Sequence, residues 1–118
     1  MIRSALLALM LASPVLADAP KIVDATAKKS GMGWRISVTI LHPGESWDHY
    51  ADGWSVVDMA GNELGYRTLV HPHPNEQPFT RSLSSVMIPD GTRKVRIRAH
   101  CSRDGWAEDE FKLYLERK

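Results

Sequence analysis

The chain has 118 residues, with 15 basic and 14 acidic side chains and a formal net charge of +1. This length suits one domain with a single core and excludes two. The near-neutral charge gives no reason to expect nucleic acid as a partner.

The first 17 residues have the pattern of a secretory signal peptide. Arg3 precedes an apolar run over residues 5–12, and residues 13–17 supply the short side chains of a cleavage site before Asp18. The apolar run is too short to span a bilayer, and no later stretch is long enough. We therefore predict a cleaved signal over residues 1–17, one domain over residues 18–118, no membrane span, and a periplasmic or secreted location.

Alternating apolar and polar residues after the signal predict a series of β-strands. The clearest pattern puts Trp34, Ile36, Val38 and Ile40 on one face, which is typical of a half-buried strand. Strands are expected at residues 22–27, 34–40, 54–58, 63–70, 79–88, 94–101 and 111–116. About seven short strands in roughly 100 residues indicate an all-β, immunoglobulin-like antiparallel β-sandwich.

Cys101 is the single cysteine of the sequence, so no disulfide can form within the chain. The period of its strand points Cys101 inward and His100 outward. A free thiol in this position is an inert buried side chain, a metal ligand or a link to another chain, and the strand pattern alone leaves these alternatives open.

Two loops carry the residues best suited to bind a metal. His42 and His49 lie in the loop after the second predicted strand, and Asp104 follows Cys101 by three residues in a later loop. Imidazole and thiolate suit iron, copper and zinc. We predict a metal site of His42, His49, Cys101 and Asp104. The alternative is that both histidines are solvated and that Asp104 belongs to a simple turn over a buried thiol.

The order of these motifs resembles the iron domain of the superoxide reductases, the desulfoferrodoxin and neelaredoxin family. The resemblance rests on His42-Pro43, His49-Tyr50, a tryptophan-bearing strand from Trp54, and the loop Cys101-Ser102-Arg103-Asp104-Gly105-Trp106. It implies an immunoglobulin-like sandwich and a ferrous ion that reduces superoxide to peroxide.

The resemblance also implies individual roles. His42 and His49 would be equatorial ligands and Cys101 the axial thiolate. Asp104 stands where the family has a loop histidine, and residues 19–22 offer no imidazole where the family has another. Replacing imidazole by carboxylate adds negative charge, which favours ferric over ferrous iron.

A second pair of histidines lies in the proline-rich segment His71-Pro72-His73-Pro74. Alternate residues of an extended segment project to one side, which is a geometry suited to copper or zinc. The alternatives are a rigid solvated loop and a loop that contacts a protein partner.

The tryptophans have two interpretations. Trp34 is expected to pack in the core, as is Trp54. Trp47 and Trp106 flank the predicted metal site, where they would either exclude water from the ion or cap the end of the sandwich.

Three functions follow from these patterns. The first is an exported metal-binding module with an altered iron, copper or zinc site. The second is a superoxide reductase-type oxidoreductase that uses the same four residues. The third is an interaction domain that keeps the fold and binds no metal.

Overall fold

A computed structural model of the protein describes residues 19–115. The predicted signal peptide, residues 1–17, lies outside the described residues. The described part of the chain forms eight strands: β1 (Lys21–Ser30), β2 (Gly33–Leu41), β3 (Ala51–Val57), β4 (Glu63–Thr68), β5 (Phe79–Val86), β6 (Lys94–Cys101), β7 (Gly105–Trp106) and β8 (Phe111–Tyr114). Between residues 19 and 115 there is no helix long and apolar enough to cross a membrane.

The strands form two antiparallel sheets. One sheet has the order β1-β2-β5, and the other has the order β4-β3-β6, with β7 and β8 both paired to β6. The prediction of an all-β, immunoglobulin-like sandwich is confirmed. Seven of the eight strands correspond to predicted ones, and the two-residue β7 lies in a segment that we expected to be loop.

The core lies between the sheets and follows the predicted alternation. Trp34, Ile36, Val38 and Ile40 of β2 are all buried. They meet a similar row from the second sheet that includes Trp54 and Ile97. On the outer face of β2, hydroxyl groups pair across to β5, for example Ser37 to Ser82 at 2.7 Å. The core therefore forms from one face of each strand, as period-two patterning requires.

The largest differences from the predicted strand ends, of three residues each, are at the end of β1 and the start of β3, and the other ends agree to within two residues. β1 continues to Ser30 because β1 and β2 are joined by a two-residue turn, in which Gly31 has a φ of +60° that glycine adopts without strain. β3 begins at Ala51 rather than at Trp54, because Ala51 pairs with Cys101 of β6. This pairing brings the two loops with metal-binding residues to the same end of the sandwich.

Candidate metal centre

Three of the four predicted ligands converge at the end of the sandwich where β2, β3 and β6 meet. His42 follows the last residue of β2, Cys101 ends β6, and His49 lies in the loop before β3. One donor atom from each lies within 4.8 Å of the others. His42 and Cys101 are fully buried, and the side chain of His49 is 10% exposed.

The loop from His42 to Tyr50 reverses direction so that its two imidazoles meet. Gly44 has a φ of +81°, a conformation that favours glycine. Ser46 and His49 then exchange backbone hydrogen bonds of 3.1 and 2.9 Å. The amide of Ser102 donates to the carbonyl of Tyr50 at 2.8 Å, which fastens this loop to the end of β6. A separation of seven residues therefore becomes a direct ring contact.

The carboxylate of Glu45 holds His42 in place. Glu45 is completely buried in its side chain, and its Oε2 lies 2.7 Å from Nδ1 of His42. The same oxygen accepts the amide of Ala51 at 2.8 Å, and Oε1 accepts the amide of His73 at 2.7 Å. Histidine ligands commonly donate their second ring N–H to such a carboxylate, which fixes the tautomer and orients the ring. A metal ion would accordingly bind His42 through Nε2.

The ring of His49 has a buried nitrogen that lacks a hydrogen bond to any of the described residues. Its Nε2 makes no hydrogen bond within that part of the chain. Oδ2 of Asp104 is 3.3 Å away, close enough for an ion pair but without hydrogen-bond alignment. A buried polar atom without a hydrogen bond costs about 1–3 kcal/mol, so its retention calls for an explanation. A bound cation would satisfy it.

Cys101 is surrounded by groups that affect a sulfur ligand. Its Sγ accepts a hydrogen bond from the amide of Arg103 at 3.4 Å. Oδ2 of Asp104 lies 3.9 Å from the sulfur, and the side chain of Asp104 is 57% exposed. Backbone N–H groups directed at sulfur stabilise a thiolate and tune the potential of a metal bound to it. Asp104 lies at the solvent side of the cluster, next to two of its three members.

The ring geometry fits a shared ion. The centroids of His42 and His49 are 4.9 Å apart, with the ring planes at 84°. Two imidazoles on adjacent positions of one ion, with bonds of about 2.0–2.1 Å, have centroids roughly 4.5–5.2 Å apart. Donor atoms around a tetrahedral ion are about 3.3–3.7 Å apart, so the observed limit of 4.8 Å calls for a contraction on the order of 1 Å.

The charge of the donor set matches a divalent cation. Two neutral imidazoles add no charge, while a thiolate at Cys101 and the carboxylate of Asp104 add two negative charges. A divalent ion would make the ligand cluster neutral, and the buried carboxylate of Glu45 behind His42 adds one further negative charge. The residues therefore fit iron, zinc or copper by ligand type and by charge.

Sequence reasoning missed Glu45 and the anchoring of the segment from His71 to Pro78. His42 donates its amide to Oε1 of Gln77 at 2.7 Å, and Gln77 donates to the carbonyl of His73 at 3.0 Å. The spacing His42-Pro43-Gly44-Glu45 is a signal that could have been used, because a turn at glycine returns a carboxylate toward the preceding imidazole. No local pattern indicates the contact with the distant segment.

The tryptophans are divided between core and surface. Trp34 and Trp54 are buried in the core, as predicted. Trp47 is 69% exposed and packs edge-on against Tyr50, so it does not enclose the three donors. Trp106 is 40% exposed and lies edge-on against the ring of His100 on the outer face of β6. It also lines an open cleft beside Cys101.

Comparison with known proteins gives one informative relative. No family model and no solved structure matches the chain. A protein of Halomicrobium mukohataei named "Putative lipoprotein" is 40% identical over 86 residues, which are 72% of this chain and 42% of that protein. The chain thus spans less than half the length of this relative. The similarity relates the chain to a protein whose name states no reaction and no ligand.

Proposed function

We propose that this protein is an exported module that binds one transition-metal ion through His42, His49 and Cys101, with Asp104 as the fourth ligand. The observation that carries the proposal is the convergence of the three donors within 4.8 Å of one another, and the buried Nε2 of His49, which lacks a hydrogen bond, supports it. Inert core packing accounts for Cys101 alone, but it does not account for two imidazoles at the same point.

Iron is the first choice of metal. The thiolate and imidazole donors suit iron, copper and zinc, and the resemblance to the superoxide reductase iron domain favours iron among the three. A bound iron would supply one-electron exchange. Glu45 would hold the ring of His42, the amide of Arg103 would stabilise the sulfur, and Asp104 would offset charge at the exposed side.

Reduction of superoxide at the same site is the second candidate. An open cleft reaches Cys101 and Asp104, which gives a small reactant a route to the site. The cleft is lined by two cations, Lys21 and Arg103, and by three carboxylates that include Asp104. This balance does not attract an anion, and only two imidazoles are present. For these reasons we rank the binding module above the oxidoreductase.

A periplasmic or secreted location is part of the proposal. It rests on the signal-like pattern of residues 1–17. The lipoprotein name of the Halomicrobium mukohataei relative agrees with export.

Anaerobic loading with ferrous iron tests the proposal. We expect one iron per chain and, on oxidation, an absorption band from sulfur-to-iron charge transfer. Cys101→Ser should lose the band, and His49→Asn should lose most of the bound iron. His100→Asn is the matched control, because His100 neighbours Cys101 in sequence but faces outward to Asp52.

The same experiment separates the three functions. If neither iron, zinc nor copper binds to the folded protein, or if Cys101→Ser binds as the parent does, the metal-binding proposal is wrong and the interaction domain is left. If iron binds but superoxide is not consumed with the matching yield of peroxide, the oxidoreductase is excluded and the binding module stands.

A further inference from the structure

A second pair of imidazoles lies in contact outside the candidate metal centre. The ring centroids of His71 and His73 are 4.7 Å apart, and the ring planes are tilted by 42°. Both residues belong to the segment between β4 and β5, which contains three prolines over residues 72–78. Proline limits the backbone freedom of this segment, so the pair is held close with little further loss of entropy on binding.

His73 is buried in a way that its packing does not explain. Its side chain is only 5% exposed, and its ring stacks on Phe79 at 4.0 Å. Within the described residues, neither Nδ1 nor Nε2 of this ring makes a hydrogen bond. A phenylalanine or leucine would fill the same space without two unsatisfied nitrogens. Stacking alone therefore gives no reason for a histidine here.

The arrangement of the nitrogens identifies the atoms that would bind an ion. Nδ1 of His71 lies 3.0 Å from the carbonyl oxygen of Pro72, and Nδ1 of His73 lies 3.7 Å from Oε1 of Glu45. A protein oxygen beside Nδ1 favours the tautomer with its proton there, which gives Nε2 the lone pair. Two imidazoles on adjacent positions of one ion have centroids roughly 4.5–5.2 Å apart, and the observed 4.7 Å lies in this range.

The surrounding charges are compatible with a cation. The buried carboxylate of Glu45 faces His73 from the side of the metal centre. Arg81 places a positive charge near His73, which opposes the binding of a cation, but its guanidinium pairs with Glu76 at 3.0 Å. The amide of Glu76 also donates to the carbonyl of His73 at 3.4 Å, which keeps this acidic residue beside the pair.

We propose that His71 and His73 form a second metal site, which binds a divalent cation such as zinc or copper(II) through Nε2 of each ring. Water molecules complete the coordination of the ion. Because these residues are distinct from His42, His49 and Cys101, this site can be present whether or not the first one is. The two sites are connected through Glu45, whose two carboxylate oxygens contact His42 and His73.

Zinc titration in the Cys101→Ser background tests the second site, because zinc is redox-silent and the variant lacks the thiolate of the first site. Isothermal calorimetry should show one remaining zinc equivalent. His71→Asn in this background should weaken that binding at least about tenfold, as expected for loss of a ligand. His71 is exposed, so this change leaves the core intact. His100→Asn is the control and should leave the zinc affinity unchanged.

Two results would overturn the second site. One is a folded Cys101→Ser protein that binds no zinc, and the other is a His71→Asn variant that binds zinc as tightly as its parent. If Cys101→Ser does not fold, His49→Asn provides the background instead. Nuclear magnetic resonance adds a direct measure, since zinc should shift the ring signals of His71 and His73 and leave those of His100 in place. Failure of the first site has a different signature: Cys101→Ser then binds iron, zinc and copper as the unmodified chain does.

Discussion

Oε2 of Glu45 lies 2.7 Å from Nδ1 of His42, in a position where the glutamate side chain has no exposure to solvent. A buried carboxylate is costly unless it is paired and hydrogen-bonded. Glu45 meets this condition with the ring of His42 and the amides of Ala51 and His73. It thereby joins the end of β2, the start of β3 and the segment before β5 behind the candidate metal centre.

Glu45→Gln tests this relationship. Glutamine has an NH2 group in place of one carboxylate oxygen. This group would point a hydrogen-bond donor at one of the three N–H groups that now donate to Glu45. We expect a loss of about 1–3 kcal/mol in the free energy of unfolding. Metal affinity at the first site should fall about 10–100-fold, because His42 loses the charge that orients it. Urea unfolding and competition with a metal-binding dye measure the two effects.

Glu63→Gln is the matched control for that change. Glu63 is the first residue of β4 and pairs with Val57 at the far end of β3, where its Oε1 accepts a hydrogen bond from Ser55 at 2.8 Å. Glu63→Gln should leave the metal affinity unchanged. Equal metal binding by Glu45→Gln and the parent protein would show that Glu45 serves only the fold.

Asp104→Asn tests whether Asp104 binds the metal ion or only lies beside the site. Asp104 is more than half exposed, and ion pairs at the surface contribute little to stability. Loss of its contact with His49 should therefore change the free energy of unfolding by less than about 1 kcal/mol. Metal affinity should nevertheless fall about tenfold or more if the carboxylate binds the ion. Asp109→Asn, in the same cleft, is the control. An unchanged affinity in Asp104→Asn would reduce the ligand set to three residues.

The stability of the metal-free protein should depend on pH through His73. Burial lowers the pKa of His73 below 6.5, the charges of Arg81 and His71 lower it further, and Glu45 and Glu76 oppose these effects more weakly. The unfolded chain then binds a proton that the folded chain does not, so stability falls as the pH drops below 6.5 towards the folded pKa.

His73→Gln should therefore flatten the dependence of stability on pH between about pH 7 and pH 5. Urea unfolding at several pH values in the presence of a chelator measures the slope. A slope equal to that of the parent protein would contradict a lowered pKa for His73.

Gly53→Ala tests the packing on the outer face of β3. A Cβ at this position would overlap the ring and hydroxyl of Tyr66, which packs edge-on against Trp106. We expect a loss of about 1–3 kcal/mol, as is usual for overpacking. In the Tyr66→Ala background the same change should cost much less, with a coupling energy of about 0.5–3 kcal/mol. Additive effects in the double variant would show that Tyr66 is not the obstacle.

The sequence by itself determined which side of each main strand is buried. Alternation places Trp34, Ile36 and Val38 on one face and puts Cys101 inward with His100 outward, and the structure confirms these assignments. This succeeds because the direction of a side chain on a strand is a local property with a period of two residues. The predicted strand ends were less accurate, most of all the end of β1 and the start of β3, because turn geometry and strand pairing determine them.

Only the tertiary structure decided which polar residues meet. Ala51 and Cys101 become partners across 50 residues of chain, and Glu45 reaches His73 across 28 residues. The burial of Glu45 and the unsatisfied nitrogens of His73 depend on these long-range pairings and leave no local pattern. Composition and spacing were enough to predict His42, His49, Cys101 and Asp104 as ligands. The distance between their donor atoms, however, is set by the packing of two sheets and three loops.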